Sequence, residues 1–267
     1  MSTGLINRLK WGDAIRVNNI PQHTDFAVQS GDLITVFLDE PPIEYPAQQG
    51  ALTILYEDDH ILAVDKPAGM LIHPSRSRLE GTLANYVAGY YQRTGQNCAF
   101  HPMTRLDRDT YGVVLLAKNS HIHALLQNAV LEKIYHARVF GGPEGDRGLV
   151  EAPIARRPLP SLLRYVAEEG KPSVTQYCVL RREKQWSELE LRPITGRTHQ
   201  LRVHCSYMGF PILGDPQYGT PASQSISREM GLEHQLLLAH SLTFVHPITE
   251  EKMTVTTKLQ ITKAPMD

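Results

Sequence analysis

A run of charged residues directly before an apolar strand is the first segment whose residue types could carry out chemistry. The run leads into Val113 and reads Arg105-Leu106-Asp107-Arg108-Asp109-Thr110-Tyr111-Gly112. Loops held by a rigid sheet often carry catalytic groups. A carboxylate flanked by arginines stays ionised, which suits a nucleophile better than a general acid. Asp107 is therefore a candidate nucleophile, and the alternative is a strand-entry loop in which Asp109 or Thr110 caps the backbone.

A second segment with chemical potential is the strand-like run from Leu131 to Gly141. Alternation along an extended chain places Lys133, Tyr135, Ala137 and Val139 on one face. The Tyr135 ring therefore either packs in a core or offers its face and hydroxyl to a ligand.

A third segment is the dense polar run from Leu191 to His204. Its polar groups are costly to bury unless they pair, so the run is predicted to line a pocket. His199 and His204 are five residues apart, which does not place them on one helical face, and no third ligand has useful spacing. The sequence therefore predicts no metal site.

The elements that must position these residues are mostly strands. Strands are predicted at residues 52–57, 61–66, 112–118, 134–140, 175–180, 187–191 and 236–244, and helices at residues 81–91 and 121–131. Because the strands do not strictly alternate with the helices, the pattern predicts an α+β fold. We expect a largely antiparallel mixed sheet flanked by helices and loops.

The N-terminal part of the chain is predicted to be a separate small module. Residues 5–10 have helical apolar spacing, and residues 15–19 and 33–38 have the pattern of short strands. Residues 41–50 contain three prolines and little aliphatic content, which is typical of a linker. The predicted division is a module at residues 1–40, a linker at residues 41–50 and a main domain at residues 51–267.

Composition restricts the class of protein. With 267 residues, 42% of them hydrophobic and 21% charged, the chain can bury one sizeable core. No stretch approaches the roughly 18 apolar residues that a membrane span needs. Cys98, Cys178 and Cys205 are widely spaced, which predicts neither disulfides nor a zinc site. We therefore expect a soluble cytoplasmic protein.

The charge is unevenly distributed along the chain. The formal net charge is -1, which argues against a chain-wide electrostatic grip on nucleic acid. Residues 156–202 nevertheless contain ten Lys and Arg against five Glu, a local charge of +5. This stretch is either a solvated charged face or a patch that faces phosphates.

The three segments, in this order, resemble the RluA-type pseudouridine synthases. The run at 105–112 is similar to the R-L-D-x-x-T-S-G motif of that family, Lys133-Ile134-Tyr135 to its K-x-Y segment, and residues 195–204 to its T-G-R-T-H-Q-I-R-V-H segment. Residues 65–75 and 209–219 are also similar to family segments, and the resemblance extends over residues 52–255. Residues 15–19 and 28–36 resemble part of an S4 RNA-binding module, here shortened at its N-terminus.

The resemblance implies specific roles for residues of this chain. It assigns Asp107 as the nucleophile, Tyr135 as the platform for the target base and Arg202 as the partner of the aspartate. It also implies RNA or base contacts from the residues around them: Arg105, Leu106, Thr110, Lys133, Arg197, His199, Gln200 and Leu201.

The activity implied is the isomerisation of uridine to pseudouridine in structured ribosomal or transfer RNA, after base flipping. We expect no cofactor, no metal, no membrane association and a monomer. Thr104 and Tyr111 stand where the family usually has His and Ser, and the bulk of Tyr111 is expected to narrow the pocket or alter the turn.

Two alternative functions follow from the same residues. The first is an inactive RNA-binding relative of such a synthase. The second is a glycosidic hydrolase, which would need a second carboxylate within about 5–10 Å of Asp107. Asp109 is two residues away and faces the opposite side of an extended chain, so it is a poor candidate for that carboxylate.

Overall fold

The computed structural model describes residues 6–7, 9–10, 13–37, 43, 45–75 and 78–261. Within these residues the helices are α1 (Leu83–Thr94), α2 (Ser120–Gln127), α3 (Gln200–Tyr207) and α4 (Pro221–Glu229). The strands are β1 (Ile15–Val17), β2 (Ile20–Pro21), β3 (Ile34–Val36), β4 (Thr53–Glu57), β5 (Ile61–Lys66), β6 (His101–Pro102), β7 (Tyr111–Ala117), β8 (Glu132–Phe140), β9 (Arg147–Glu151), β10 (Ile154–Arg156), β11 (Arg164–Val166), β12 (Val174–Arg182), β13 (Trp186–Pro193), β14 (Leu237–Val245) and β15 (Lys252–Thr256).

A ten-stranded mixed sheet organises most of these elements. Its main path has the order β4-β5-β7-β14-β8-β13-β12-β9, while β6 pairs with β7 and β15 with β14. All of its pairings are antiparallel except that of β7 with β14. The predicted α+β class with a largely antiparallel sheet is confirmed.

The middle of the sheet is covered on both faces, which explains its apolar strands. Every residue of β5 and of β7 is buried. Helix α1 packs Leu83 and Val87 against one face, and helix α2 packs Ile122 and Leu126 against the other. Strands buried on both faces appear in the sequence as continuous apolar runs rather than alternating ones, and β7 was predicted for that reason.

One glycine fixes how β7 enters the sheet. Gly112 has a φ of +109°, and a Cβ at this position would lie 2.3 Å from the Ala239 carbonyl oxygen of β14. Only glycine tolerates both this backbone conformation and this approach. The close crossing places the turn that precedes Gly112 directly beside the start of β14.

The described N-terminal residues form a small antiparallel sheet with the strand order β2-β1-β3. It includes the predicted strands near residues 15–19 and 33–38. The predicted helix at 5–10 falls partly outside the described residues, and Ile6, Asn7 and Leu9 are helical. Residues 38–42 and 44, which include three residues of the predicted linker, also lie outside the described residues. Across the described residues, no helix is both long and apolar enough to cross a bilayer.

The structure departs from the sequence prediction in three helical regions. Helix α4 (Pro221–Glu229) was not predicted. Helix α2 ends at Gln127, so the predicted extension to residue 131 is wrong. Residues 200–207 of the polar run form helix α3, which was not predicted. The reason is that α3 buries polar side chains, among them Gln200, Arg202 and His204, so its buried face lacks the apolar periodicity that indicates a helix.

Candidate active site

A tight turn between β6 and β7 carries Asp107. The carbonyl oxygen of Asp107 accepts a hydrogen bond from the Thr110 amide at 3.2 Å. The Thr110 hydroxyl in turn accepts a hydrogen bond from the Gln235 side chain at 2.7 Å. Leu106 packs into the core on the α1 side of the sheet. The turn is therefore anchored on both sides of Asp107, whose side chain keeps 29% of its surface exposed.

Lys66, at the end of β5, anchors the turn that carries Asp107. Its side chain is fully buried, and its ammonium donates to the carbonyl oxygens of Arg108, Pro67 and Met70 at 2.9, 2.9 and 2.8 Å. Burial lowers the pKa of this ammonium to about 7, although the carboxylates of Asp109 and Asp107 act in the opposite direction. Lys66 therefore ties the Asp107 turn to the loop that follows β5.

The lowered pKa of Lys66 predicts a specific pH dependence of stability. The folded chain releases this proton near pH 7, whereas the unfolded chain keeps it up to about pH 10, so the unfolded state binds more protons between these values. By linkage, the free energy of unfolding of the wild-type protein should therefore rise between about pH 7 and pH 10 relative to that of the Lys66→Met variant. We expect this difference between the two proteins to grow by at least about 2 kcal/mol. Urea unfolding of both proteins at several pH values measures it, and a constant difference would contradict it.

The cation that meets Asp107 comes from α3. Arg202 Nη1 donates to Asp107 Oδ2 at 3.0 Å. The arginines adjacent to Asp107 in sequence were expected to keep it ionised, but Arg108 instead forms a two-pronged pair with Asp109, with both contacts at 2.9 Å. That expectation is corrected: a residue 95 positions away makes the ion pair with Asp107.

Arg202 is itself held by a turn after α3. Its Nε and Nη2 donate to Asp215 Oδ2 and Oδ1 at 2.8 and 2.9 Å, and Nη2 also donates to Gln217 at 2.7 Å. Burial lowers the pKa of the guanidinium, but the hydrogen bonds and charge of Asp215, followed by those of Asp107, outweigh it and raise the pKa overall. Arg202 thus remains a cation in a buried position.

His199 approaches the same carboxylate from the N-terminus of α3. Its Nε2 lies 3.8 Å from Asp107 Oδ2, and its backbone has a φ of +58°. Its Nδ1 lies 2.8 Å from the Tyr218 hydroxyl, whose oxygen accepts a hydrogen bond from the Arg164 amide at 2.9 Å. Burial is the largest influence on the pKa of His199 and lowers it. A neutral ring whose Nδ1 accepts a hydrogen bond from the Tyr218 hydroxyl carries its proton on Nε2, which directs this N–H towards Asp107.

Asp107 lines a cavity of about 540 Å³, a volume within the usual range for a small-molecule site. Lys133 and Tyr135, which alternation places on one face of β8, both line it, while Ala137 and Val139 of the same face pack in the core. Burial, and then the charge of Asp107, raise the pKa of the Tyr135 hydroxyl. Burial lowers the pKa of Lys133, which has no ion-pair partner among the described residues.

The remaining predicted contact residues all line the cavity, but they differ in exposure and in the partners of their side chains. Arg105 and Arg197 are exposed at the cavity wall. Gln200 lines the cavity too, but its amide is used within the protein: its oxygen accepts from Thr195 and the Arg197 amide, and its nitrogen donates to Val174 and Thr175. Leu106, Thr110 and Leu201 are buried cavity-lining residues. Gln200 therefore shapes the loop before α3.

The two departures from the family motif have structural explanations. Tyr111 is 2% exposed and packs with Leu213, Leu236, Leu238 and Ile261, and it does not line the cavity. The expectation that its bulk narrows the pocket is therefore wrong. Thr104 is buried, and its hydroxyl accepts a hydrogen bond from the Leu115 amide at 3.2 Å, which fixes the chain before the Asp107 turn.

Three residues that organise the site were not identified from the sequence. They are Lys66, Asp215 and Tyr218. Each lies in a segment that resembles the family, but the resemblance implies no role for its side chain. For Lys66 a signal existed, because a lone lysine closing the run of apolar residues in β5 is costly to bury unless it has partners. For Asp215 and Tyr218 the partners are more than ten residues distant, and no local pattern indicates them.

The arrangement combines a carboxylate, a fixed cation and an aromatic ring around one cavity. Asp107 is the only carboxylate among the described residues that line it. Asp109 and Asp215 are both engaged by arginines. The described cavity lining therefore offers no second carboxylate as the acid for hydrolysis of a glycosidic bond. Among the described residues, no cluster of three or more His, Cys, Asp or Glu side chains could hold a metal ion.

Comparison with known proteins identifies the family. The family model described as RNA pseudouridylate synthase matches residues 60–207. An uncharacterized RNA pseudouridine synthase of Bacillus subtilis, YjbO, is 35% identical over 95% of this chain and 89% of its own length. The ribosomal large subunit pseudouridine synthase C of Vibrio cholerae is 31% identical over 92% of this chain and 81% of its own length.

A solved structure agrees with these relatives. Human RNA pseudouridylate synthase domain containing 1 superposes with a TM-score of 0.64 at 26% identity, covering 79% of this chain and 85% of the human one. The family match spans more than half of the sequence and includes Asp107, Tyr135 and Arg202. The chain belongs to the RluA-type RNA pseudouridine synthases, which are isomerases.

Proposed function

We propose that this enzyme converts specific uridines of ribosomal RNA to pseudouridine, with Asp107 as nucleophile, Tyr135 as stacking platform and Arg202 as the cation that holds Asp107. The observation that carries the proposal is the ion pair between Arg202 and Asp107 on a cavity that contains no other described carboxylate. The similarity to the ribosomal large subunit pseudouridine synthase C of Vibrio cholerae supports ribosomal RNA as the substrate.

The target nucleotide must leave its helix before Asp107 can reach it. Flipping a base out of a stack costs a few kcal/mol, and stacking on an aromatic ring returns roughly 1–3 kcal/mol. Tyr135 lies on the cavity wall and supplies this ring. Arg105 is exposed at the same wall, where its long side chain can occupy the space that the base vacates.

The reaction rearranges one glycosidic bond. The bond between N1 of the uracil and C1' of the ribose breaks, and a bond between C5 and C1' forms. The hydrogen on C5 is lost as a proton, and N1 gains one, so the net change is an isomerisation. Asp107 assists either by attacking C1' or by elimination to a glycal. In both routes the reacting form is the carboxylate, and it must point at the ribose. The charge-assisted hydrogen bond from Arg202 fixes this direction.

Lys133 is the side chain best suited to bind a phosphate next to the flipped nucleotide. It is a part-buried cation on the cavity wall with no ion-pair partner among the described residues. A cation in this position is stabilised when an anion arrives. Arg197, from the stretch of net charge +5, is exposed at the same cavity and extends this positive surface.

Lys133→Met should weaken RNA binding by roughly five- to tenfold, because one phosphate contact is lost. The slope of log affinity against log salt concentration should fall in magnitude by about one. Filter binding over a range of salt concentrations measures both quantities. Lys252→Met is the matched control, since Lys252 is exposed and paired with Glu132 outside the cavity. Equal affinities and slopes for the two variants would contradict the phosphate role.

The substrate is tested by mapping pseudouridines in cells that lack the gene. Carbodiimide labelling and primer extension across ribosomal and transfer RNA should reveal one or more ribosomal sites that disappear. Those sites should return with the wild-type gene and not with Asp107→Asn. Loss of a site in transfer RNA only would correct the substrate class. If no site changed in either RNA, an inactive RNA-binding protein would be the better description.

A further inference from the structure

The guanidinium of Arg202 makes most of its contacts with a single turn of the chain. Of its four side-chain hydrogen bonds, two go to Asp215 and one to Gln217, at 2.7 to 2.9 Å. Only Nη1 is directed to Asp107, at 3.0 Å. A pairing along the Nε and Nη2 edge fixes the plane of a guanidinium as well as its position. The direction in which Nη1 points is therefore set by Asp215.

Asp215 is itself immobilised. Its side chain is fully buried, and Oδ1 also accepts hydrogen bonds from the amides of Gln217 and Tyr218 at 2.9 and 3.2 Å. The Tyr218 ring lies 4.9 Å from the guanidinium carbon of Arg202, which confines the cation from a further side. A carboxylate held by two backbone amides is a rigid anchor, because its position no longer depends on rotamer choice.

Asp107 does not have comparable support. Its side chain is 29% exposed, and its partners in the described structure are Nη1 of Arg202 and, at 3.8 Å, the His199 ring. An arginine side chain carries about 2 kcal/mol of rotamer entropy and can meet a carboxylate in several ways. Without Asp215, Arg202 could pair with Asp107 along either edge and draw it away from the ribose.

The charges lead to the same conclusion. Arg202 lies between two carboxylates, so the group of three carries a formal charge of -1. Asp215 takes two of the four hydrogen bonds of the cation, and Asp107 takes one. The nucleophile is thus oriented by a cation whose charge is already shared with a buried partner.

We propose that Asp215, assisted by Gln217, is a positioning residue for the isomerisation: it locks Arg202 so that Nη1 alone orients Asp107 towards the ribose. This inference rests on the proposed role of Asp107. It extends the catalytic group to a side chain that does not line the cavity and cannot touch RNA directly.

The test separates the rate of the reaction from RNA binding and from folding. Purified protein is mixed with a large-subunit ribosomal RNA transcript that carries tritium at C5 of its uridines, and tritium released to water reports the loss of the C5 hydrogen. The rate at saturating RNA, the RNA dissociation constant and the melting temperature are measured for each variant. Asp65→Asn is the control, since Asp65 is a buried carboxylate that contacts Thr257 and Lys258 and not Arg202.

Asp215→Asn should lower the rate at saturating RNA by about 10²-fold, because a small displacement of the reacting group has an effect of this size. RNA affinity should stay within about twofold, since Asp215 does not line the cavity. Asp65→Asn should stay within about threefold of the wild-type rate. In an Arg202→Met background, adding Asp215→Asn should change the rate by less than about threefold, because the effect passes through Arg202.

The Gln217→Met variant is a second test of the inference, and it leaves every buried side chain unchanged. Gln217 is exposed, so its replacement should leave the fold intact. Loss of one hydrogen bond to Arg202 should lower the rate about fivefold. If the Asp215→Asn protein folds and keeps a near-normal rate, the inference is overturned. If that protein does not fold, an unchanged rate in the Gln217→Met protein overturns the inference instead. A wild-type protein that releases no tritium overturns the proposed function and this inference together.

Discussion

Replacing Asp107 with asparagine is expected to reduce pseudouridine formation by at least about 10⁴-fold, which is the scale seen when a nucleophile is removed. The amide has nearly the same shape as the carboxylate but cannot attack a carbon or accept a proton at neutral pH. Arg202 Nη1 can still donate to the remaining oxygen at the observed 3.0 Å. The variant should therefore fold normally and lose only the chemical step.

The measurement is tritium release from C5 together with RNA binding by the same protein. Affinity should remain within a few-fold of the wild-type value, because Tyr135, Lys133 and Arg105 are unchanged. Asp109→Asn is the matched control in the same turn: it pairs with Arg108 and does not line the cavity. We expect it to lose less than about tenfold. If Asp107→Asn kept more than a few per cent of the rate, another group would have to be the nucleophile.

Much of the sheet is predictable from the sequence because its strands are simple in composition. β5 and β7 are buried on both faces, so each is a continuous apolar run bounded by polar turns. Lys133 and Tyr135 are predictable as neighbours on one face because a strand alternates strictly. In each of these cases the signal lies within fewer than ten residues and does not depend on distant partners.

The helix that supplies Arg202 is not predictable by the same rules. α3 buries Gln200, Arg202 and His204 where an ordinary amphipathic helix would place aliphatic residues. Each of the three is satisfied by a partner outside the helix: Thr175 for Gln200 and His204, and Asp215 for Arg202. Propensity and periodicity cannot register such partners, because they form only when the fold is complete.

The ion-pair partner of Asp107 is also not predictable from the neighbouring sequence. Local sequence places Arg105 and Arg108 beside it, and both are exposed in the structure. Arg108 turns to Asp109, while Arg202 reaches Asp107 from a helix 95 residues further along the chain. Sequence distance predicts charge pairing poorly when long side chains can choose among several partners. Only the family resemblance indicated Arg202 before the structure did.

Arg202→Met is expected to lower both stability and activity. Removing one partner of a buried ion pair costs about 3–5 kcal/mol, since the other charge is left without compensation. Asp215, whose side chain is fully buried, would retain only the amides of Gln217 and Tyr218. For a chain of this size the melting temperature should fall by about 10 °C. The rate should fall by at least about 10²-fold, because Asp107 loses its orienting partner.

A second replacement separates the two effects. Adding Asp215→Asn to Arg202→Met removes the isolated buried charge, so thermal unfolding should show that most of the lost stability returns. Tritium release should not recover, because neither change restores a cation beside Asp107. Recovery of stability without activity would mean that Asp215 destabilises the single variant through its charge alone. A double variant as unstable as Arg202→Met would instead show that the guanidinium stabilises the site mainly by packing against Tyr218.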